Sequence, residues 1–233
     1  MSKTIAISQS NYIPWKGYFD FIAEVDEFVL YDEVQYTTRD WRNRNRIKTP
    51  QGPKWLTIPV HGSQSDSIDE VDIADNDWNE KHWQILRHIY NQAPFFSYWE
   101  RDILRLYEQA TFSRLSEINR HFLVGITKLL GIKTSFSWST DYNARGDRTE
   151  RLISICKQAN ADVYVSGPAA KAYLDVGLFN KEGITVQWMN YEDYKEYPQL
   201  YGEFDHTVSI LDLLFNTGPQ ALDYLKTAIQ VEI

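Results

Sequence analysis

The first 31 residues constrain the fold most. "TIAIS" (4–8) is a short apolar run of strand type, followed by a polar loop, "QSNYIP". Tyr18, Phe21, Ile22 and Val25 then recur at helical spacing within "WKGYFDFIAEV", and "EFVLY" supplies a second buried strand. Strand, helix and strand in so short a span make a β–α–β unit, whose strands run parallel and whose helix must cover a sheet face. The same alternation returns later in "KTSFSW", "RTERLISICKQAN", "DVYVSG", a short helix around Ala170, and "ITVQW". Alternation at both ends predicts an α/β fold, a mostly parallel Rossmann-like sheet with helices on its faces.

Between the two ends the pattern changes. Residues 42–48 and 54–60 read as a β-hairpin turning at "TPQGP". "NEKHWQILRHIYNQ", "YWERDILRLYEQ" and "SRLSEINRHFLVGITKLLG" show helical periodicity, which predicts a helix-rich insertion at about 78–131 that stops at Gly131. "SILDLLFNTG" and "PQALDYLKTAI" are expected to close the chain as helices. With no linker or repeat, residues 1–233 are expected to form a single α/β domain.

Composition removes several function classes. The single cysteine, Cys156, excludes a disulfide within the chain, and it shares an apolar helix face with Leu152 and Ile155, as a small buried hydrophobe does. The five histidines form no metal-binding spacing, so no metal site is expected. "MSKTIAISQ" has no signal-peptide core, and no apolar run approaches about 18 residues, so the expectation is a cytoplasmic protein without membrane insertion. A formal charge of −8 argues against general nucleic-acid binding. The 8 Trp and 15 Tyr point to a large aromatic core, and stacking surfaces for sugars or bases are their other use.

One stretch runs against the acidity. Residues 39–54 hold six basic residues to one acid, and "WRNRNRIK" sets Arg42, Arg44, Arg46 and Lys48 two residues apart. In a strand these four cations face one side, with Asn43, Asn45 and Ile47 on the other. Such a row either discourages edge-to-edge pairing or holds an anion, for which arginine forks suit phosphate or carboxylate. Asn43 and Asn45 offer donors and acceptors to sugar hydroxyls or to backbone.

In open parallel sheets ligands bind beyond the C-terminal strand ends, at the point where strand order reverses. That rule selects loops 9–17, 32–41 and 166–171. The first offers Gln9, Tyr12, Lys16, Gly17 and Tyr18 at a strand-to-helix turn, where backbone N–H groups and a helix N-terminus favour an anion. Trp15 and Tyr18 serve equally as core aromatics. The second offers Asp32, directly after a strand, as a catalytic carboxylate or ribose-binding acid, or as a turn cap, with Gln35 nearby. The third offers Ser166, Gly167 and Lys171, with Pro168 suited to a helix start. Upstream, Asp147 precedes a helix with Glu150 three residues on, a capping-box spacing beside Arg148. By position alone, His61 after "LTIPV" is the candidate general base.

The loop "YIPWKGY" resembles the start of HIGH-superfamily nucleotidyltransferases, which implies a HUP-like sheet and a phosphate pocket. Trp15 and Tyr18 stand where that family has histidines, so the imidazoles of adenylyl transfer do not carry over. More broadly, "YIPWKGYFDFI", "DEFVLYDEVQY", "WRNRNRIK", "WLTIPV", "DRTERLI", "YVSG" and "SILDLLFNTG" resemble the WbqC-like family across nearly the whole chain. Gln9-Ser10 stands where that family usually has Gln-Pro. The resemblance implies a place in O-antigen or related surface-glycan biosynthesis. With the basic strand, it leads to an expected transferase that acylates or aminoacylates the amine of a nucleotide-linked amino sugar. Coenzyme A or an acyl-carrier-protein thioester would be the donor, Asp32 or His61 the proton acceptor, and Tyr12 a donor to the oxyanion. A nucleotidyltransferase-like enzyme and a non-catalytic nucleotide-sugar or glycan binding module remain the alternatives.

Overall fold

The computed structural model describes residues 2–226. Strand β1 (Thr4–Ser8), helix α1 (Lys16–Ala23) and strand β2 (Glu27–Leu30) form the expected unit, β1 and β2 pairing in parallel from Ile5–Glu27 to Ser8–Leu30. A long excursion follows. Strands β3 (Arg44–Thr49) and β4 (Gly52–Thr57) make an antiparallel hairpin closed by the Thr49–Gly52 pair, where Gly52 takes φ +103°, a conformation that glycine adopts without a side-chain clash. Strands β5 (Val60–His61) and β6 (Asp72–Ile73) form a second, two-residue ladder. Helices α2 (Trp78–Tyr90), α3 (Phe96–Gln109) and α4 (Leu115–Leu129) come next, close to the expected spans.

The chain then re-enters the sheet through β7 (Ser135–Trp138), α5 (Arg148–Gln158), β8 (Val163–Ser166), a 3-10 turn at Pro168–Ala172, α6 (Val176–Lys181) and β9 (Thr185–Trp188). After an irregular segment come α7 (Ile210–Thr217) and a 3-10 helix at Gly218–Tyr224. The closing helix expected from "PQALDYLKTAI" is therefore 3-10 over its described part, and its end lies outside the described residues. Helix α6 was not expected, because six residues are too few to show a period. Its one local sign was Asp175, whose side chain accepts from the Leu178 amide at 3.2 Å and caps the helix.

All five strands of the main sheet run parallel, in the order β7-β2-β1-β8-β9. Counted by appearance in the sheet, that is third, second, first, fourth, fifth, the doubly wound order, and it reverses between β1 and β8. The two-residue period of the strands divides the core. Ala6, Phe28, Leu30 and Val165 pack into one cluster with Phe19 and Ile22 of α1, Phe122 of α4 and Leu213 of α7. Ile5, Ile7, Val29 and Tyr164 pack into another with Ile153, Ile155 and Cys156 of α5 and Phe179 of α6. Trp83, Tyr107 and Phe122 show that the α2–α4 helices share the first of these cores. Burial pushes the Cys156 thiol up to about 12, which leaves it inert. Among the described residues, no helix is long and apolar enough to cross a membrane.

Candidate functional site

A cleft of about 740 Å³ opens at the C-terminal ends of β1 and β8, over the point where strand order reverses. Ser8, Gln9 and Asn11 line it from the loop after β1, Tyr18 from α1, Tyr31 and Val34 from beyond β2, and Arg42 from the turn before β3. Arg148 and Thr149 enter from the start of α5, Ser166 and Gly167 from the end of β8, and Tyr164, Tyr173 and Tyr191 complete the wall. Among the described residues its lining holds two arginines and five tyrosines, and neither a carboxylate nor a histidine. Burial raises the Tyr18, Tyr31, Tyr164 and Tyr191 hydroxyls above their ordinary range, so at neutral pH they remain phenols; the Tyr18 hydroxyl already donates to the Gln9 carbonyl at 2.6 Å.

Arg42 is the centre of charge. Its guanidinium donates to Gln9 Oε1, to Asn11 Oδ1 and, at 3.5 Å, to the Ser10 carbonyl, all of them neutral oxygens. Its ion-pair partner among the described residues is Asp40, with an oxygen 3.9 Å away, while the arginine side chain is only 14% exposed. A largely buried cation whose hydrogen-bond acceptors are neutral, with a carboxylate no closer than 3.9 Å, keeps much of its field available for an anionic ligand. Arg148 adds a second cation, held at φ +27° where α5 begins.

The loop between β1 and α1 is braced on several sides. The Ser10 amide donates to Asp32 Oδ1 at 2.8 Å, and Asn119 of α4 donates to Ser10 Oγ and to the Arg42 carbonyl, both at 2.9 Å. Ile13 sits at φ +37°, a genuine outlier for a β-branched residue, and Asn45 clamps the Tyr12 and Ile13 carbonyls at 3.1 and 2.9 Å. The Pro14 carbonyl accepts from the Ile210 amide at 2.9 Å. Strain of this kind persists only where surrounding contacts over-determine the backbone, and it concentrates at ligand sites.

Several expected site residues lie elsewhere. Lys16 points away from the cleft: its Nζ donates to the Lys195 carbonyl at 2.5 Å and lies 5.2 Å from the centroids of Tyr194 and Tyr197. Burial lowers its pKa to about 8. Gly17 is needed because the Trp15 ring folds over it, so that a Cβ would lie 2.3 Å from that ring. Asp32 is buried and accepts from Ser10 and Ser116, its pKa raised by burial, so it anchors the loop from behind the cleft wall. Tyr12 is in the helical core, its hydroxyl 2.8 Å from both His82 Nδ1 and Tyr107 OH. His61 is exposed on β5 opposite Asp72. None of the three expected catalytic residues, Asp32, His61 and Tyr12, lines the cleft.

The basic row divides because its neighbours differ. Its alternation holds through Ile47, with Asn45 and Ile47 buried and Arg44 and Arg46 half-buried. Arg44 stacks on Trp55 at 4.1 Å and donates to the Arg39 carbonyl, while Arg46 donates to Thr207 Oγ1. Lys48 breaks the pattern by turning inward to Gln199 Oε1 at 2.6 Å and the Glu203 carbonyl. The Asn43 amide donates to the Ile58 carbonyl at 3.0 Å, so both asparagines spend their donors on backbone. Gln35 bonds the Gln64 carbonyl at 2.6 Å, and Lys171 stands over Trp188 at 5.6 Å, outside the lining. Asp147 precedes α5 without a side-chain capping bond, and the helical turn after Ser166 is a five-residue 3-10 segment, too short to direct a dipole at an anion.

Of the expected binding residues, the cleft gathers Gln9, Tyr18, Arg42, Arg148, Ser166 and Gly167. Tyr173, which the sequence places beside Lys171, lines it too; the sequence argument missed Asn11, Tyr31, Tyr164 and Tyr191, of which Tyr31 and Asn11 carried a signal by adjoining strand ends.

Fold and cleft together define a doubly wound α/β protein with its pocket at the strand-order reversal. The chain belongs to the WbqC-like protein family, whose model matches residues 9–224. It is similar to Uncharacterized protein Rv1507c of Mycobacterium tuberculosis (strain ATCC 25618 / H37Rv), at 48% identity over 226 residues, covering 96% of this chain and 98% of the relative. No solved structure matches.

Proposed function

We propose that the protein binds a nucleotide-activated sugar in this cleft and acts on it as a cytoplasmic transferase of surface-glycan assembly. The observation that carries the binding half is the lining itself: Arg42 and Arg148 among tyrosines, with no carboxylate to repel a diphosphate. Phenol rings offer faces to a base or sugar, and their hydroxyls donate to phosphate or ring oxygens. A volume of about 740 Å³ lies within the ordinary range for small-molecule sites. For the chemistry we favour acyl or aminoacyl transfer to a sugar amine, with a coenzyme A or acyl-carrier thioester as donor. An acyl carrier protein is then the protein partner.

The test is titration calorimetry of the protein with UDP, GDP, dTDP, ATP, CTP and coenzyme A, repeated with Arg42→Met. Binding of a nucleoside diphosphate that weakens at least 100-fold in the variant is the expected result. Preferential binding of ATP or CTP would move the reading to nucleotidyl transfer, for which the sheet order is equally suited. Binding that ignores Arg42 would end the proposal. Mass spectrometry of an amino-sugar nucleotide incubated with an acyl thioester then checks the transfer itself.

A further inference from the structure

A second, smaller cavity of about 230 Å³ adjoins the cleft, lined by Asn11, Pro14, Trp15, Trp41, Asn45 and Thr207. Two contacts join the spaces. Asn11 lines both, and its Oδ1 accepts from the Arg42 guanidinium. Trp15, in the small cavity, packs edge-on against Tyr191 of the cleft, their centroids 5.5 Å apart. Arg42 therefore stands at the junction, directly after Trp41 in the chain.

The two compartments differ in character. The cleft is about three times larger, is walled by tyrosines and carries both arginines. The small cavity has indole plates, a proline, the Asn11 and Asn45 amides and the Thr207 hydroxyl, with the Arg46 guanidinium bonded to that hydroxyl and 5.9 Å from the Trp41 ring centroid. Trp41 is 39% exposed, and its ring packs against that of Trp55, 40% exposed, with centroids 5.2 Å apart. An indole face beside hydrogen-bonding groups suits a pyranose, which is apolar on its C–H face and polar at its rim. A free base would find more room in the cleft, which is about three times larger.

We infer that the Trp15–Trp41 cavity is the sugar subsite of the proposed ligand, with the diphosphate at Arg42 and the nucleoside along the tyrosine wall. The inference rests on the nucleotide-sugar reading and assigns that ligand its direction. Trp41 is then a specificity residue that distinguishes a nucleotide sugar from the bare nucleotide.

The experiment is calorimetric titration with UDP, GDP and dTDP and with their hexose conjugates, on the wild type, Trp41→Ala, Trp41→Phe and Arg42→Met. The conjugate of the preferred base should bind at least tenfold more tightly than its nucleoside diphosphate. Trp41→Ala should lower conjugate affinity to that of the diphosphate, Trp41→Phe should restore most of the difference, and Arg42→Met should weaken both ligands. Circular dichroism checks that each variant is folded. Equal wild-type affinity for the two ligands, or a conjugate preference that survives Trp41→Ala, overturns the subsite while leaving the cleft reading standing. If no nucleotide of either kind binds the wild type, the proposed function falls and the subsite with it.

Discussion

Lys16 and Arg42 are two buried cations on either side of the same loop, and their surroundings assign them opposite roles. Lys16, 3% exposed, is closed in by the Lys195 carbonyl and the rings of Tyr194, Tyr197 and Phe204. One carbonyl and three ring faces replace water only in part, so burial lowers the Lys16 pKa, and the cage ties the irregular segment after β9 to the start of α1. Arg42 has three neutral acceptors and an open cleft in front of it. A closed cage makes a cation part of the scaffold, whereas an open face leaves its charge for a ligand.

The largest expected effect comes from removing what supports both. Asp32→Ala leaves the Ser10 amide and the Ser116 hydroxyl buried without an acceptor, and should cost about 2–4 kcal/mol of stability by urea denaturation. If Asp32 were instead a catalytic base, the variant would keep its stability and lose only turnover. Arg42→Met comes second. A 100-fold loss of anion affinity is about 2.7 kcal/mol, and stability should fall by about 1–3 kcal/mol, because Gln9 and Asn11 lose a charged donor and Asp40 loses its ion-pair partner.

Lys16→Met should leave nucleotide affinity within twofold of wild type, which separates the two cations directly. The pH dependence of stability sharpens the same point. The Lys16 pKa falls from 10.5 to about 8 on folding, so between those values the unfolded chain binds more protons. Stability contributed by this group therefore rises with pH across that window. Denaturation midpoints of wild type minus Lys16→Met, followed from pH 7.5 to 10.5, should show that rise. A flat difference would mean that the cage does not disfavour the charge. The smallest effect belongs to Arg44→Ala: its stacking on Trp55 is at the surface, so stability should fall by no more than about 1 kcal/mol and anion affinity should hardly move.

Much of the scaffold was legible from residue order. Apolar runs and helical spacing located β1, α1 and β2 within one or two residues, because burial against a sheet leaves a period in the sequence. The C-terminal strand-end rule likewise drew attention to Gln9, Arg42's neighbourhood and Ser166. It brought neither Asp32 nor Tyr12 into the cleft, and His61, chosen by position alone, is exposed on β5, because following a strand does not say whether a side chain turns toward the cleft, the core or solvent.

What the sequence determined by itself was the parallel α/β framework, the helix-rich insertion, the buried cysteine and the alternation of the basic strand as far as Ile47. Each follows from local propensity and from the period of burial. What the tertiary structure alone decided was the fate of each charge and ring. Arg42, Arg44, Arg46 and Lys48 look equivalent in "WRNRNRIK", yet Arg44 meets Trp55 of its own hairpin, while Gln9 and Asn11, Thr207, and Gln199 and Glu203 come to the other three from distant parts of the chain. A charge is a ligand site or a scaffold according to what it meets in space, and that is set by packing across more than a hundred residues of chain for Arg46 and Lys48.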